Sequence, residues 1–236
     1  MSDWKVITGD CLEVLKTIPA GSVDAVVMDA PYGIQHQSNG QIFLNAHRCQ
    51  SDGNLDAMEW VCDWARSLPS PLPMVCFFSP YKPPRIEWRS ILVWNKGAHV
   101  GGGGDIETCW KRDHELIGVR NNGPLGGGRD SSVLHFNAVS PPPSGHFCEK
   151  PVELMRYLIE KVVPIGGTVL DPFAGSGATG VAAMQCGRNF LGIEIEERWA
   201  DIARRRIGEA ASTLWTPLKE PEPDQELFAG DTLRAR

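Results

Sequence analysis

Hydrophobic positions in the last third of the chain alternate between two spacings. Apolar residues recur at helical spacing over residues 151–163, with a proline in the first turn, where a helix tolerates it. A short apolar run at 168–170 predicts a strand, and a helix over 176–186, a strand over 190–195 and a helix over 197–211 follow. This order of helices and strands predicts a parallel sheet that helices cover on both faces.

Short apolar runs separated by polar segments make up the first two thirds. The pattern predicts buried strands in these runs and helices where the apolar spacing widens. The predicted strands are residues 23–28, 74–78, 91–94 and 114–120, and the predicted helices are 11–18 and 58–68. Residues 34–55 are polar and contain two turn dipeptides, Asn39-Gly40 and Asp52-Gly53, so they are predicted to form a long loop.

Length and composition suit one globular domain. The chain has 236 residues, of which 42% are hydrophobic, and we expect a domain over residues 1–215 with a loosely held, Pro- and Glu-rich tail at 216–236. The sequence has no apolar run long enough to predict a membrane span, and its first residues do not have the pattern of a signal peptide. The seven cysteines lack a Cys-x-x-Cys pair, which argues against zinc and predicts reduced thiols in the cytoplasm. No metal site is expected.

Net charge bears on a nucleic-acid partner. The formal charge of −6 argues mildly against one, because phosphate contacts need Lys and Arg. The placement of the charges weakens this objection, since Lys82, Arg85, Arg89 and Lys96 fall close together with only Glu87 among them. A local basic face fits this grouping, and so does an ordinary solvated surface of mixed charge.

A glycine-rich segment follows one predicted strand and opens the next helix. It reads Asp-Pro-Phe-Ala-Gly-Ser-Gly-Ala-Thr-Gly over residues 171–180. Its glycines permit tight turns and a close approach of the backbone to a ligand. Glu194 ends the following strand, where a carboxylate can accept hydrogen bonds from two ribose hydroxyls. The arrangement is typical of a nucleotide-type site in a Rossmann-like sheet.

The same glycines also match a rival fingerprint. Gly175-x-Gly177-x-x-Gly180 with an acid about 20 residues on is typical of dinucleotide binding, so a nicotinamide-dependent oxidoreductase is an alternative. Asp171 would repel a pyrophosphate and attract the ammonium of a methionine moiety. The late position of the loop also leaves little sequence for a dinucleotide fold. Both points favour a methyl donor over a dinucleotide, and a loop that merely turns the chain is the third reading.

A second motif, Asp29-Ala30-Pro31-Tyr32, ends the strand predicted at 23–28. Ligands bind at the carboxyl ends of strands in such sheets. Turns that contain Pro and Asp are common, so the tetrapeptide gains weight only from its pairing with the glycine loop.

Together the two motifs resemble those of the amino-methylating DNA methyltransferases, which are adenine-N6- or cytosine-N4-specific. The catalytic motif of that family is Asp/Asn/Ser-Pro-Pro-aromatic, and here it precedes the glycine loop, which is the permuted order of the beta group. Further resembling segments are Gly9-Asp10-Cys11, Trp94-Asn95-Lys96, His114-Glu115, Glu149-Lys150-Pro151 and Gly192-Ile193-Glu194-Ile195. Position 30 departs from the family, since it is Ala where Pro is usual.

The resemblance implies an α/β fold of the Rossmann-like S-adenosylmethionine-dependent methyltransferase type. The expected sheet is mostly parallel, seven-stranded and flanked by helices, with a target-recognition insertion within about residues 97–148. The implied reaction is site-specific transfer of a methyl group from S-adenosyl-L-methionine to the N6 amino group of adenine in double-stranded DNA. Asp at position 29 favours adenine, and cytosine-N4 methylation is the alternative. A DNA-binding module without activity stays open through Ala30, and so do a homodimer and a restriction partner.

The resemblance also implies roles for individual residues. In the catalytic motif, the Asp29 carboxylate and the Ala30 carbonyl would accept the amino hydrogens of a flipped-out base, on which Tyr32 stacks, with Pro31 between them. The residues expected to bind the cofactor are Asp10, Cys11, Lys150, Asp171, Pro172, Phe173, Gly175, Ser176, Gly177, Glu194 and Ile195. Read singly, Asp10 is also explained as a helix cap, Lys150 as a surface charge and Tyr32 as a turn aromatic.

Overall fold

A computed structural model describes most of the chain. It covers residues 2–31, 57–80, 83–97, 110, 113–121, 123–140, 142–146 and 149–213, and the backbone of 35–38 and 41–44. The strands are β1 (Trp4–Thr8), β2 (Ala25–Met28), β3 (Gln35–Ser38), β4 (Gln41–Leu44), β5 (Met74–Phe78), β6 (Ser90–Asn95), β7 (His114–Arg120), β8 (Val133–His135), β9 (Thr168–Asp171) and β10 (Asn189–Glu194). The helices are α1 (Cys11–Leu15), α2 (Ala57–Ser67), α3 (Val152–Val162), α4 (Ala178–Gln185) and α5 (Glu197–Ser212).

The main sheet has the strand order β1-β10-β9-β2-β5-β7-β6-β8. Strand β7 runs antiparallel to both of its neighbours, β5 and β6, and the other adjacent pairs are parallel. The predicted α/β class with a mostly parallel, helix-flanked sheet is therefore confirmed. The parallel neighbours β9 and β10 are connected through helix α4, because parallel strands need a crossover connection. The parallel neighbours β2 and β9 are far apart in sequence and are brought together by the fold.

Within the described residues the sheet has eight strands, where seven were expected. The additional strand is β8, which pairs with the outer edge of β6 through Val93↔Val133 and Asn95↔His135. The segment around β8, residues 121–145, is rich in Gly, Pro, Asn and Ser, a composition that is typical of irregular structure. An edge strand of three residues needs little periodicity of its own, because an existing edge supplies its hydrogen-bond partners. The sheet strand β7 also lies inside the range expected to hold the recognition insertion.

The prediction of a long loop over residues 34–55 is wrong in its first half. Strands β3 and β4 pair as an antiparallel hairpin, with Gln35 opposite Leu44 and Ser38 opposite Gln41. Asn39-Gly40 stands between them in sequence, and Asn-Gly between two short strands is a strong hairpin signal as well as a loop signal. Residues 45–55 lie outside the described residues.

The core forms two layers, one on each face of the sheet. In β5, Val75 and Phe77 pack with the buried residues of α3 and α4, whereas Met74 and Cys76 pack with those of α1 and α2. Because successive strand residues point to opposite faces, a strand buried on both sides reads as one continuous apolar run. This explains why the central strands were predictable. Among the described helices, none has the length and apolar character that crossing a bilayer would require.

Candidate active site

Two neighbouring strands bring the predicted catalytic and glycine motifs together. Strand β2 pairs in parallel with β9, with Val26 opposite Leu170, so the residues that follow both strands lie at the same sheet edge. Strands β1 and β10 end there too, with Thr8 opposite Glu194. The backbone N–H of Gly9 then donates to the Glu194 carbonyl at 2.9 Å. The sheet topology thus assembles one site from both ends of the chain.

A cavity of about 280 Å³ opens at this edge. It is lined by most of the residues that the sequence predicted for catalysis and cofactor binding. These are Asp10, Cys11, Asp29, Ala30, Pro31, Lys150, Asp171, Pro172, Phe173, Gly175, Ser176, Glu194 and Ile195. Gly177 is not in the lining, and Tyr32 lies outside the described residues.

The turn after β2 carries the predicted catalytic carboxylate. Lys150 Nζ donates to Asp29 Oδ2 at 2.6 Å, and the Lys150 side chain is only 8% exposed. Ala30, which follows, is buried. The reading of Lys150 as a surface charge is therefore wrong. The contact of Lys150 with a cofactor stays a prediction, whereas its contact with Asp29 is a feature of the site that the sequence did not predict.

Glu115, from β7, extends this charge cluster. Its carboxylate lies 3.3 Å from Lys150 Nζ and 2.5 Å from Lys96 Nζ. Burial acts to raise the pKa of Glu115, but the charges and hydrogen bonds of Lys150 and Lys96 outweigh it and lower the pKa to about 2. Glu115 was not among the predicted site residues. Its signal was a carboxylate inside a buried strand, in a segment that had already been matched to the family.

The glycine loop holds a buried carboxyl group. Asp171 Oδ1 accepts from the Phe173 backbone N–H at 3.0 Å, and Oδ2 accepts from Thr179 Oγ1 at 2.5 Å. Burial raises the pKa of Asp171 to about 7, although both hydrogen bonds act to lower it. The carboxyl group predicted to attract a ligand ammonium therefore titrates close to neutral pH.

Gly175 and Gly177 adopt left-handed backbone conformations, with φ of 51° and 84°. A Cβ on Gly175 would lie 3.4 Å from His146 Nε2 at the cavity wall. A Cβ on Gly177 would lie 2.9 Å from Cα of Ala203 in α5. Gly175 thus keeps space and an accessible backbone at the cavity, whereas Gly177 permits close packing of the start of α4 on α5.

Glu194 faces the glycine loop from the end of β10. Its Oε2 accepts from the Gly175 N–H at 2.8 Å and its Oε1 from the Glu196 N–H at 2.9 Å. Each carboxylate oxygen has a second lone pair, so these bonds orient Glu194 and leave acceptor capacity for hydroxyl donors. The predicted pairing with ribose is compatible with this geometry.

Asp10 combines both of the readings that the sequence allowed. It is the N-cap of α1, where Oδ1 accepts from the Leu12 N–H at 2.9 Å, and it also lines the cavity. The cap explains why the helix starts at Cys11. The cap also fixes the carboxylate at the cavity wall, where it can accept from a ligand.

The sequence analysis did not predict a role for His146, Glu149 and Trp199, which line the cavity, or for Arg206 behind its wall. Arg206 in α5 donates to the Ser176 carbonyl at 2.8 Å and to Glu149 Oε1 at 2.5 Å. Nearby, the rings of His146 and Trp199 meet edge to face, with centroids 4.6 Å apart. Burial lowers the pKa of His146. Glu149 had been noted only as part of the Glu-Lys-Pro segment, and nothing in the spacing of Arg206 or Trp199 marked them.

Comparison with known proteins identifies the family. Residues 83–205 match the model of the N6/N4 methyltransferase family, which is described as DNA methylase, and this match covers more than half of the chain. The chain therefore belongs to the amino-methylating DNA methyltransferase family. This finding confirms the resemblance drawn from the motifs and argues against the oxidoreductase alternative.

Relatives match over most of their length. The Type II methyltransferase M.HinfI of Haemophilus influenzae is 26% identical over an alignment of 277 positions. The alignment covers 97% of this chain and 77% of the relative. The DNA adenine methyltransferase YhdJ of Escherichia coli (strain K12) is 28% identical over an alignment of 248 positions. The alignment covers 87% of this chain and 83% of the relative.

Solved structures share the fold. The M1.HpyAVI–SAM complex aligns with a TM-score of 0.61 and 24% identity, over 86% of this chain and 99% of that one. The PvuII DNA methyltransferase, named as cytosine-N4-specific, aligns with a TM-score of 0.64 and 16% identity, over 87% of this chain and 86% of that one. These likenesses confirm the expected methyltransferase fold.

Proposed function

We propose that this protein transfers a methyl group from S-adenosyl-L-methionine to the N6 amino group of adenine in double-stranded DNA. The observation that carries the proposal is one cavity lined by both motifs, Asp29-Ala30-Pro31 from β2 and the glycine loop from β9. Adenine rather than cytosine is proposed because Asp stands at position 29, and YhdJ, a relative over most of its length, is named a DNA adenine methyltransferase.

Several wall residues suit the parts of the proposed cofactor, which supplies an electrophilic methyl group on a sulfonium. Ionised Asp171 would attract the amino-acid ammonium, and Glu194 would accept from the ribose hydroxyls. Gly175 leaves room beside His146 where a side chain would intrude. The remaining wall residues proposed to contact the cofactor are Asp10, Cys11, Pro172, Phe173, Ser176 and Ile195. Gly177 would act indirectly, through the packing of α4 on α5.

The turn after β2 would act on the target base. An exocyclic amino nitrogen is a poor nucleophile, because its lone pair is delocalised into the ring. If the Asp29 carboxylate and the Ala30 carbonyl accept its two hydrogens, the nitrogen becomes more tetrahedral and its lone pair becomes available. Acceptors held in place before the base arrives lower the barrier, because little reorganisation is left for the reaction itself.

The base must leave the duplex to reach a cavity of this kind, so base flipping is part of the proposal. Stacking on Tyr32 stays a prediction. Sequence recognition is assigned to residues within 97–148, outside strand β7. The single domain over 1–215, the tail at 216–236 and the cytoplasmic location also stay predictions, and a homodimer stays open.

The decisive experiment identifies the product. The protein is incubated with mixed duplex DNA and a methyl-labelled donor, and the DNA is digested to nucleosides. We expect the label in N6-methyl-2′-deoxyadenosine. Label in N4-methylcytosine would reassign the base, and no labelled nucleoside on any DNA would contradict the proposed activity.

Asp29→Ala serves as the matched inactive variant. It should abolish transfer and leave the affinity for S-adenosylhomocysteine, measured by calorimetry, within about threefold, because the carboxylate acts on the base. A tenfold loss of that affinity, about 1.4 kcal/mol, would instead place Asp29 in the cofactor site.

A further inference from the structure

Four side chains of alternating charge connect the sheet to the turn after β2, residues 29–31. Lys96 Nζ lies 2.5 Å from one oxygen of Glu115, and Lys150 Nζ lies 3.3 Å from the other. Lys150 then donates to Asp29 at 2.6 Å. Lys96 directly follows β6, Glu115 lies in β7, Lys150 precedes α3 and Asp29 lies in the turn after β2. Lys150 and Asp29 are 121 residues apart in sequence, so only the fold joins them.

The middle of this cluster is withdrawn from solvent. The side chains of Lys150 and Glu115 are 8% and 16% exposed. Aromatic rings pack beneath both cations, with Lys150 Nζ 5.1 Å from the Phe77 ring centroid and Lys96 Nζ 5.4 Å from that of Trp94. Burying an ammonium costs free energy unless anions and ring faces surround it. Here they do, and they fix the position of a side chain that is otherwise flexible.

On the basis of the function proposed above, we propose that Lys150 is a positioning residue for the Asp29 carboxylate, and that Glu115 holds Lys150 in place. The hydrogen bond to Oδ2 restricts rotation of the carboxylate, so the substrate amine meets it in one orientation. This role differs from the cofactor contact that the family resemblance implies for Lys150. It is carried by the contacts of Lys150 with Asp29 and Glu115.

The proposal predicts a loss of turnover without a loss of cofactor affinity. Lys150→Met keeps the length of the side chain over Phe77 but removes the ammonium, so Asp29 would lose its fixed orientation. Misplacing a reacting group by about 1 Å costs on the order of 100-fold in rate, and we expect kcat to fall by about that factor. Lys150→Arg restores a donor and should recover at least about a tenth of the wild-type kcat.

A substitution of Glu115 provides a second test of the proposal. Glu115→Gln keeps the shape of the side chain but weakens its hold on Lys150, so kcat should fall by roughly tenfold. If Glu115 acts through Lys150, the double variant should have a kcat no lower than that of Lys150→Met alone, because contacting residues in one chain of interactions are not additive.

The experiment measures kcat, the KM for DNA and the calorimetric Kd for S-adenosylhomocysteine in the full chain. The set is wild type, Lys150→Met, Lys150→Arg, Glu115→Gln and the double variant. Lys161→Met is the matched control, because it breaks a comparable pair, Lys161 with Asp130 at 2.5 Å, on α3 outside the cavity lining. We expect its kcat to equal that of the wild type, and every Kd to stay within about threefold.

Several outcomes would overturn the proposal. A tenfold weaker Kd in Lys150→Met with unchanged kcat at saturating donor would assign Lys150 to the cofactor. If Lys150→Met does not fold, as judged by its thermal transition, Glu115→Gln tests the proposal in its place. A wild-type kcat in Glu115→Gln would then refute the proposal. A wild type without transfer to any DNA would overturn both this inference and the proposed function, whereas an active wild type with unaffected variants overturns the inference alone.

Discussion

The two carboxyl groups Asp171 and Glu115 show how one functional group acquires opposite properties at one site. Glu115 lies between two ammonium groups, and its pKa is lowered to about 2. Asp171 is fully buried, accepts from a hydroxyl and a backbone N–H, and has its pKa raised to about 7. Glu115 is therefore a permanent anion at physiological pH, whereas the charge of Asp171 depends on pH within the physiological range.

We expect the affinity for S-adenosylhomocysteine to rise with pH because of Asp171. The ligand ammonium favours the ionised carboxylate, which is the minor form below pH 7 and the major form above it. From pH 6 to pH 8 the Kd measured by calorimetry should fall by up to about tenfold. In Asp171→Asn the part of the dependence that comes from Asp171 should disappear. His146, whose pKa is lowered by burial, is present in both proteins, so the difference in slope between them reports Asp171. A flat profile in the wild type, or the same slope in the variant, would refute the role.

The stability of the free protein should respond to Asp171 in the opposite direction. The pKa of Asp171 is raised above its usual 3.8. The folded state therefore prefers the protonated form. The resulting stabilisation is fully present below about pH 3.8 and is lost as the pH rises through about 7. The cofactor contact proposed for ionised Asp171 would therefore oppose the preference of the free protein for protonated Asp171.

Among the elements, α5 has a role beyond covering the sheet. Arg206 on this helix connects the glycine loop, through Ser176, with the segment before α3, through Glu149. Its guanidinium is a planar fork that reaches two acceptors at once, which a lysine ammonium cannot do in the same geometry. The helix therefore fixes the relative position of two cavity walls.

Removal of this connection should weaken the binding of the methyl donor more than it slows the reaction. In Arg206→Met we expect the Kd for S-adenosylhomocysteine to rise at least about tenfold, since a hydrogen bond from a charged donor contributes roughly 1.5–3 kcal/mol. The kcat at saturating donor should change by less than about threefold, because Arg206 is not in the cavity lining. Arg205→Met, one residue away and exposed, is the control. Equal Kd values in the two variants would refute the role.

The elements also show what the sequence could and could not predict. The strands β2, β5, β9 and β10 carry continuous apolar runs, and two of them end in motifs, so both the sheet and the cavity lining were predictable. Partnerships were not predictable, because Glu149 meets Arg206 57 residues later only through the fold. For the same reason Lys150 was expected at a cofactor, and its contact with Asp29 came from the structure.

At the scale of the whole molecule, the cavity draws its walls from residues 9–31, from Ala57 and from residues 115–199. A ligand bound there contacts elements from both ends of the chain, so its binding free energy should add to global stability. At S-adenosylhomocysteine concentrations of 100 times Kd, the gain is about 2.7 kcal/mol. For a domain of this size the Tm should rise by about 5–10 °C.

Calorimetric or fluorescence-monitored melting checks this stabilisation. Nicotinamide adenine dinucleotide at the same concentration is the control, and it should leave Tm unchanged. A shift with the dinucleotide and none with S-adenosylhomocysteine would overturn the assignment of the cavity to a methyl donor.

The strand order also constrains how the protein can be made. Strand β1 has β10 as its sheet neighbour, and β2 lies between β5 and β9. As the chain leaves the ribosome, the turn after β2 is made early, but β10, the last strand among the described residues, ends only at Glu194. At about 5–20 residues per second, synthesis from the turn after β2 to Glu194 takes roughly 10–30 s. Only then can β10 pair with β1. A truncated or nascent chain that lacks β10 therefore carries the turn after β2 without the opposite wall of the cavity, and the proposed methylation can begin only once β10 has been made.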